Sequence, residues 1–505
     1  MLDRKQKRFR FRVVVPAYPA FNIYSNIAAM TTSLGPVYVA TNVNKMPNWD
    51  AEVIDENNLR LHGPKSQSGG ADHALLQEER PADIVGLYGG LTSTIPRLYS
   101  VGRFYKEQGA ITIAGGQHFV GDNIRDALVS GIDYIVLGEG EETVPELIAA
   151  IQGKGDIAQV KGIAYRQDGK VVSTAYREPL RDFEKLPFPD FSLVRYARLK
   201  VYPVERIRGC GMDCEFCTVK GEPRAAPAGR LLEQIQRLVE TRNAKHFFIV
   251  DDLFGQYRAE TIEFCERIKV YQNRIGQRLD FTAQIRLDKA RDRQLLLAMR
   301  QANINMLCIG FESPIAEELK AMNKHIQPQE MLALTKIFHQ FGFLVHGMFI
   351  FGYPLETSGS FSMTAPERVK RYKTFIRQAR LDTIQILLPV PLPGTQLSER
   401  LRRENRIYDI RDVGWEYYDG NFPIFEPDAP LTAEELQAAQ RKLMAGFYRF
   451  SYVFRIGLNV LAFPALVLFF YDLRRGWQQW YRSWRNDLIR FIGWNIVKEW
   501  NWHFK

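Results

Sequence analysis

The middle of the chain alternates short apolar segments with segments whose apolar residues recur every three or four positions. Buried strands are indicated by "KHFFIVDDLF", "LDFTAQIRLD", "INMLCIGFES" and "LVHGMFIFGYP", and helices by "LLEQIQRLVETR" and "RDRQLLLAMRQA" between them. Strands that alternate with helices of about 10–15 residues predict βα units and a parallel sheet. Reactive side chains of such folds lie at the carboxyl ends of the strands, so the polar residues at those ends are candidates for a site.

The N-terminal third has a second pattern of the same type. Five short strands are indicated by "RFRVVVPAY", "AEVIDEN", "ADIVGLYGG", "ITIAGGQH" and "DYIVLGEG", and "GPVYVATNVNK" between the first two is helix-like. The pattern predicts a doubly wound sheet whose ligand binds at the carboxyl edge of the strands.

The C-terminal part changes character after Leu431. "TAEELQAAQRKLMAGFYRF" predicts a helix with a threonine cap and early glutamates. The uncharged run 456–471 that follows is shorter than the roughly 20 residues of a spanning helix, and Pro464 interrupts it. Six of the eight tryptophans then lie between Trp477 and Trp502, among many arginines. This composition favours peripheral contact with a membrane interface, and the alternative is a helical cap that buries the rings on the barrel.

These patterns divide the chain into an α/β fold of four parts. A small hairpin around Asp168-Gly169 and a proline-rich stretch connect the two α/β units. The expected parts are a doubly wound N-terminal domain, a linker with the hairpin, a partial (β/α) barrel and a helical segment rich in Trp and Arg, with the bounds 1–155, 156–200, 201–405 and 406–505.

Composition and charge narrow the class of protein. The chain has 505 residues, a net charge of +10 and only five cysteines, which excludes a disulfide scaffold. The basic N-terminus lacks a long apolar run and a small-residue cleavage site, so it is not interpreted as a signal peptide, and a reducing cytoplasm is expected. The positive charge favours anionic partners without selecting one.

Three of the five cysteines, Cys210, Cys214 and Cys217, fall within eight residues as C-x-x-x-C-x-x-C. A structural zinc site needs four ligands, and no second C-x-x-C or nearby His pair supplies the fourth. A chance cluster of thiols is another alternative. A [4Fe–4S] cluster held by three thiolates keeps one iron open for a substrate or cofactor, and Phe216 would pack at its edge. Cys265 and Cys308 lie in apolar settings typical of core residues.

The motif C-x-x-x-C-x-aromatic-C resembles the signature of the radical S-adenosylmethionine (radical SAM) superfamily, and the resemblance extends over 202–405. It implies that the open iron binds SAM and that the cluster cleaves SAM to a 5′-deoxyadenosyl radical. "IGFESP…LKAMNK" resembles the stretch that carries a ribose-contacting acid, here Glu312. "FTAQIRLD" resembles a strand whose arginine contacts the SAM carboxylate, here Arg286 with Gln284 beside it. An internal salt bridge is the alternative role for Arg286 and Glu312.

The glycine series of the N-terminal third resembles the cobalamin-binding domain found ahead of many radical SAM cores. The resemblance implies that the ligand's nucleotide tail approaches the backbone at Gly115 and Gly116, and that the same edge is lined by Gly89, Thr92 and Ser93. No Asp-x-His-x-x-Gly occurs, so the axial histidine of the classical domain is missing. Either cobalamin binds without a protein histidine, or the domain is a scaffold. The histidines not expected to bind cobalt are His62, His73 and His118.

The arrangement resembles most the group of the anaerobic magnesium-protoporphyrin IX monomethyl ester cyclase and the cobalamin-dependent radical SAM methyltransferases. It implies an enzyme that uses a [4Fe–4S] cluster, SAM and cobalamin to methylate, cyclise or oxidise a hydrophobic substrate such as a tetrapyrrole or lipid. A flavodoxin or ferredoxin is the expected electron donor, and the expected location is cytoplasmic, with peripheral contact on the inner face of the membrane. The alternative is a non-catalytic iron–sulfur sensor or binding protein. Nucleic acid is not the expected partner, because the Arg and Lys residues are dispersed.

Overall fold

A computed structural model describes residues 8–59, 63–66, 69–356, 361–470 and 473–504. The first seven residues of the basic N-terminus, His62 and Tyr471 lie outside these ranges. The described chain forms two sheets in series, each dominated by parallel strands, followed by three C-terminal helices. This is the α/β architecture predicted from the sequence.

The first sheet contains β1 Phe9–Val15, β2 Trp49–Asp55, β3 Ile84–Tyr88, β4 Ile111–Gly115, β5 Tyr134–Val136, β6 Ile163–Gln167 and β7 Lys170–Ser173. Its helices are α1 Ser25–Ala28, α2 Leu34–Asn44, α3 His73–Glu79, α4 Ile95–Glu107, α5 Asp122–Val129 and α6 Gly140–Ile151. The strand order is β2-β1-β3-β4-β5-β6-β7, with β1 to β5 parallel. The predicted hairpin is confirmed as β6 and β7, and it extends this sheet through antiparallel pairing with β5.

The second unit contains β8 Val201–Val204, β9 Ile207–Arg208, β10 Arg224–Ala225, β11 His246–Phe254, β12 Asp280–Ile285, β13 Ile304–Glu312, β14 Leu344–Ile350 and β15 Thr383–Leu387. Its helices are α7 Ala228–Arg242, α8 Arg258–Ile275, α9 Arg293–Gln301, α10 Ala316–Ala321, α11 Pro328–Gln340, α12 Ala365–Gln378, α13 Gln396–Arg403 and α14 Ile410–Val413. Six strands form one parallel sheet in the order β15-β14-β13-β12-β11-β8, and β9 and β10 form a separate antiparallel ribbon.

Burial alternates along the strands of the second sheet, as the βα pattern requires. In β12, Phe281, Ala283 and Ile285 are buried, whereas Thr282 and Gln284 on the opposite face are not. The buried face packs against the helices, so the other face forms the inner wall of a partial barrel. A continuous cluster of buried apolar side chains joins the first sheet to the second.

The C-terminal helices are α15 Ala433–Phe447, α16 Tyr452–Phe470 and α17 Leu473–Trp502. The predicted threonine cap is confirmed: Thr432 and Glu435 form a capping box at the start of α15. The tail buries some of its rings and exposes others: Trp500 is 3% exposed, as a helical cap requires, whereas Trp502 is 69% exposed. Among the described residues, no helix combines the length and the apolar character that a membrane crossing requires.

Candidate functional site

The three clustered cysteines lie on the loop between β9 and β10, just past the carboxyl end of β8. The Gly211 N–H donates to the carbonyl of Gly221 at 3.0 Å, which closes the loop. Gly209 has a φ of +85°, and a Cβ there would lie 2.6 Å from the carbonyl oxygen of Glu222. Glycine is therefore required where the two sides of this cysteine loop come closest.

Two carboxylates of β11 hold the strand that leads into the cysteine loop. Asp251 Oδ1 accepts the N–H groups of Arg206 and Ile207 at 2.6 and 2.9 Å, and Asp252 Oδ2 accepts that of Gly209 at 2.7 Å. Burial raises the pKa of Asp251 to about 7. Neither residue caps a helix, because both lie inside β11 and bind this neighbouring segment.

Glu215, between the second and third cysteines, is held by a buried cluster that the sequence analysis missed. Arg400 donates to Glu215 through Nε at 2.6 Å and Nη2 at 3.1 Å, and the Tyr353 hydroxyl donates to it at 2.6 Å. The two charged side chains are only 11% and 10% exposed. An acidic residue among cysteines was the available signal, but its partners are far away in the chain. The cluster fixes the cysteine loop to α13 and to the segment after β14.

The cysteine side chains are partly shielded from solvent. Burial raises the pKa of the Cys214 thiol, and Lys324 opposes this effect. Among the described residues, no three His, Cys, Asp or Glu side chains converge on one metal ion. The thiolates of a [4Fe–4S] cluster bind different irons, so its ligands do not need to converge on a single point.

Glu312 ends β13 in a left-handed backbone conformation, with a φ of +61°. Such a conformation costs free energy in a residue other than glycine and is often found at functional sites. Its carboxylate accepts from Lys324 Nζ at 2.9 Å. Lys324 was not among the candidates from the sequence; its Nζ also lies 6.0 Å from the centre of the Phe216 ring. A carboxylate and an ammonium group therefore lie together beside the second cysteine.

Arg286 and Gln284 lie at the carboxyl end of β12, and Arg286 reaches the cysteine loop. The Arg286 guanidinium contacts the sulfur of Met212, inside the cysteine loop, at 2.8 Å and pairs with Asp288 at 3.1 Å. Arg286 and Glu312 thus each have an ionic partner, but not one another. Gln284 is exposed and lies opposite Cys308 in the register of β12 and β13.

The side chain of Phe216, a residue of the cysteine loop, packs against the protein and not toward open solvent. Its ring meets that of Tyr353 edge-on at 6.2 Å and belongs to the same apolar cluster. Tyr353 also bonds Glu215, so the aromatic residue of the motif supports the loop from the same side as the ionic cluster.

The inner wall of the barrel below these residues is mainly apolar with a few polar groups. Cys308 lies opposite His346, and His346 opposite Thr383, whose hydroxyl is 2.8 Å from His346 Nδ1. Burial lowers the pKa of His346 to about 4, so the ring is neutral at neutral pH. Burial raises the pKa of the Cys308 thiol to about 12 and, more strongly, that of Cys265. Cys265 is a buried core residue, as its apolar setting predicted, whereas Cys308 is only partly buried because it faces the inner wall of the barrel.

The carboxyl edge of the first sheet faces the cysteine loop. Thr218, next to Cys217, donates to the Gln117 side chain at 2.9 Å, and Gln117 follows the glycines at the end of β4. Arg208 pairs with Glu139 and Glu141 at 3.1 and 2.7 Å, which ties the start of the cysteine loop to α6. The two sheets therefore present their strand ends to one another.

The candidate residues of that edge are close together. Gly89 and Gly116 pack so tightly that a Cβ on Gly116 would lie 2.4 Å from the carbonyl carbon of Gly89. At Gly115, a Cβ would meet only Val136, at 3.4 Å. Thr92 and Ser93 are buried, and Ser93 Oγ has no hydrogen-bond partner in the described part of the chain.

The histidines near this edge differ in their surroundings. His73 is hydrogen-bonded on both ring nitrogens, to Tyr105 and Glu56, at 2.8 and 3.1 Å. His118 is buried against Trp415, and neither of its ring nitrogens has a partner within the described ranges. Burial lowers the pKa of His118 to about 4, so its ring is neutral.

Residues 204–365 match the family model described as the radical SAM superfamily. The chain carries a radical SAM domain. The matched segment includes the three cysteines, Arg286, Glu312 and Lys324. It ends at the first residue of α12, so the three C-terminal helices lie outside the match.

Curated relatives of this radical SAM protein include enzymes of two kinds. An uncharacterized methyltransferase of Pyrococcus horikoshii is 26% identical over 427 residues, or 82% of this chain and 87% of that protein. The anaerobic magnesium-protoporphyrin IX monomethyl ester cyclase of Rubrivivax gelatinosus is 26% identical over 390 residues, or 73% of this chain and 65% of that protein. The match thus covers just under two thirds of the cyclase. The protein is an enzyme of the radical SAM class.

A solved structure shares the arrangement of the two sheets. The radical SAM methyltransferase TsrM from Kitasatospora setae, with cobalamin and a [4Fe–4S] cluster bound, has a TM-score of 0.62 at 15% identity and covers 79% of this chain and 75% of that one. The likeness confirms the predicted fold, in which a doubly wound sheet precedes a radical SAM barrel.

Proposed function

We propose that this radical SAM enzyme binds a [4Fe–4S] cluster through Cys210, Cys214 and Cys217 and transfers a methyl group to, or cyclises, a hydrophobic substrate with the help of cobalamin. One observation carries the proposal: the cysteine loop lies between the charged residues at the strand ends of the barrel and the glycine edge of the first sheet. The relatives named as methyltransferase and cyclase support both reaction types.

The residues around the loop fit the parts of SAM. Arg286 and Lys324 supply the positive charge for its carboxylate, and the buried Glu312 supplies an acceptor for ribose hydroxyls. The Glu215–Arg400 cluster keeps the cysteines at these groups. When bound, the cluster would supply the electron that cleaves SAM, and cobalamin would serve as a methyl carrier. A flavodoxin or ferredoxin is the proposed electron donor.

The edge of the first sheet fits cobalamin, which carries many amide groups. Ser93 Oγ and both ring nitrogens of His118 lack partners in the described chain, so they are free to bond a ligand's polar groups. Gly115 keeps the strand end free of side-chain atoms, with Val136 at 3.4 Å from where a Cβ would lie, and Gln117 faces the cysteine loop. With no Asp-x-His-x-x-Gly, no histidine of that motif reaches cobalt.

The substrate is proposed to be hydrophobic, such as a tetrapyrrole or a lipid. The inner wall of the barrel supports this, because Val250, Met306, Met348 and Leu387 lie on the same face as Gln284. A wall of this composition buries an apolar molecule and orients it through a few polar groups.

We also propose peripheral contact with the inner face of the membrane from the cytoplasm. The support is the C-terminal segment, where Phe454, Leu458 and Leu461 are 65%, 68% and 78% exposed. Exposed apolar side chains beside basic ones are typical of proteins that lie on a membrane surface.

The test of the enzymatic proposal is cluster content and SAM cleavage in anaerobically purified protein. Replacing Cys210, Cys214 and Cys217 by alanine should remove the iron and all release of 5′-deoxyadenosine or S-adenosylhomocysteine after reduction. Cys265→Ala and Cys308→Ala are the matched controls and should keep both. Iron that survives in the triple variant would refute the site, and a cluster with no SAM cleavage under reduction would favour a sensor.

A further inference from the structure

A groove between α12, α15 and the last two helices carries an excess of positive charge. Its volume is about 800 Å³, and no aspartate or glutamate is among the described residues that line it. Its basic side chains include Lys370, Lys373, Arg377, Lys442, Arg449 and Arg490. The groove lies outside the matched radical SAM segment and is separate from the cysteine loop.

The basic residues of α12 form one wall of the groove. Lys370, Lys373 and Arg377 follow one another at positions i, i+3 and i+7, so they share a helix face, and all three are exposed. Neither these three nor Lys442, opposite them on α15, pairs with a carboxylate in the described part of the chain. Like charges held this close repel one another, and an anion between them would remove that cost.

Two other basic residues that line the groove have partners within the protein. Arg490 donates to the Leu381 carbonyl at 2.7 Å and lies 4.9 Å from the centre of the Phe447 ring. Arg455 pairs with the buried Asp487 at 3.2 Å. The charge without an ionic partner among the described residues therefore belongs to the exposed residues of α12 and to Lys442.

An exposed apolar stripe begins beside the groove. Phe454, Leu458 and Leu461 recur at i, i+4 and i+7 along α16, and Phe450 just before the helix is 46% exposed. Exposed large apolar residues in a row mark an interaction surface, and a row next to a basic patch matches the boundary between lipid headgroups and acyl chains.

We infer that this groove binds the phosphate headgroup of an anionic phospholipid while the exposed stripe of α16 enters the interfacial layer of the membrane. The inference rests on the membrane contact proposed above and assigns its charge-dependent part to α12 and α15. A nucleic acid would neutralise the same charge but would leave the apolar stripe in water, so charge and apolarity together select the membrane. The arrangement would hold the enzyme where hydrophobic substrates are dissolved.

The test is sedimentation of the full-length, cluster-loaded protein with vesicles of phosphatidylcholine alone or with phosphatidylglycerol added. The perturbation is the triple variant Lys370→Gln, Lys373→Gln and Arg377→Gln. Each basic residue near an anionic surface contributes on the order of five-fold in affinity, so the variant should lose about a hundred-fold on anionic vesicles and nothing on neutral ones. The matched control removes the same charge from exposed residues of the first unit, as Lys154→Gln, Lys161→Gln and Lys170→Gln, and should bind like wild type.

The apolar stripe is tested separately with Phe454→Ser and Leu458→Ser, which should weaken binding to both kinds of vesicle. Equal wild-type binding to neutral and anionic vesicles, unchanged in the triple variant, would overturn the headgroup site and leave the membrane contact standing. Absence of wild-type binding to either vesicle would overturn both. Salt-sensitive binding of duplex DNA that the triple variant loses, without vesicle binding, would reassign the groove to nucleic acid.

Discussion

Glu215→Gln should loosen the cysteine loop without touching a cysteine. The change removes the charge that two Arg400 nitrogens bind at 2.6 and 3.1 Å and that the Tyr353 hydroxyl binds at 2.6 Å. Arg400 would remain buried with the carbonyls of Pro354 and Leu355, at 2.9 and 3.3 Å, the new amide and the more distant Glu404 carboxylate, at 3.5 Å. Breaking a buried ion pair by removing one partner costs about 3–5 kcal/mol.

The lower end of that range applies, because glutamine keeps the shape and part of the hydrogen bonding. About 3 kcal/mol raises the population of the opened loop by about two orders of magnitude. If opening is fast, the loss of iron to a chelator follows that population. The assay is therefore the rate at which anaerobic protein releases iron to excess chelator, and the variant should release it about a hundred-fold faster.

Glu222→Gln is the matched control, since Glu222 is exposed in the same loop. It should release iron at the wild-type rate. In the double variant with Arg400→Met, the uncompensated charge is gone, so the loss should be smaller than the sum of the two single effects. Equal rates for Glu215→Gln and Glu222→Gln would show that the ionic cluster does not hold the loop.

Three further outcomes are expected. Arg286→Ala and Glu312→Gln should keep the cluster but weaken SAM binding ten- to a hundred-fold, because each loses a charge-assisted hydrogen bond worth about 1.5–3 kcal/mol. Unchanged SAM affinity in equilibrium dialysis would show that both residues form structural ion pairs. Burial raises the pKa of Asp419 from 3.8 to about 7, so the folded state binds the proton more tightly than the unfolded state and stability is lost as the pH rises from about 4 to about 7. Asp419→Asn should remove that part of the pH dependence of Tm. An unchanged profile would contradict the burial argument. Gly115→Leu should abolish the absorbance of cobalamin in protein made with ample cobalamin, whereas Gly115→Ala should keep it, since only the larger side chain fills the strand edge. Wild-type protein that purifies free of cobalt yet remains active would contradict cobalamin binding.

The local sequence determined the elements and predicted the cysteine site. The periodicity of apolar residues was sufficient to predict two parallel sheets in series. This periodicity depends only on which residues of a single strand or helix face the core. The cysteine spacing was sufficient for the three proposed cluster ligands, because all three lie on one short loop. Threonine and glutamate three residues apart were sufficient for the cap of α15.

Only the tertiary structure decided which strand ends meet. The Glu215–Arg400 pair joins residues 185 positions apart, and the Gln117–Thr218 bond joins residues 101 apart, so no local pattern announces either. Lys324 ends the stretch "LKAMNK" after α10, but only the structure shows that it pairs with Glu312 at the left-handed end of β13. The basic groove likewise combines a wall of α12 with one of α15, whose charges looked dispersed along the chain. The periodicity of apolar residues determines which face of a strand or helix is buried. The packing of elements from distant parts of the chain determines which faces and strand ends share a site.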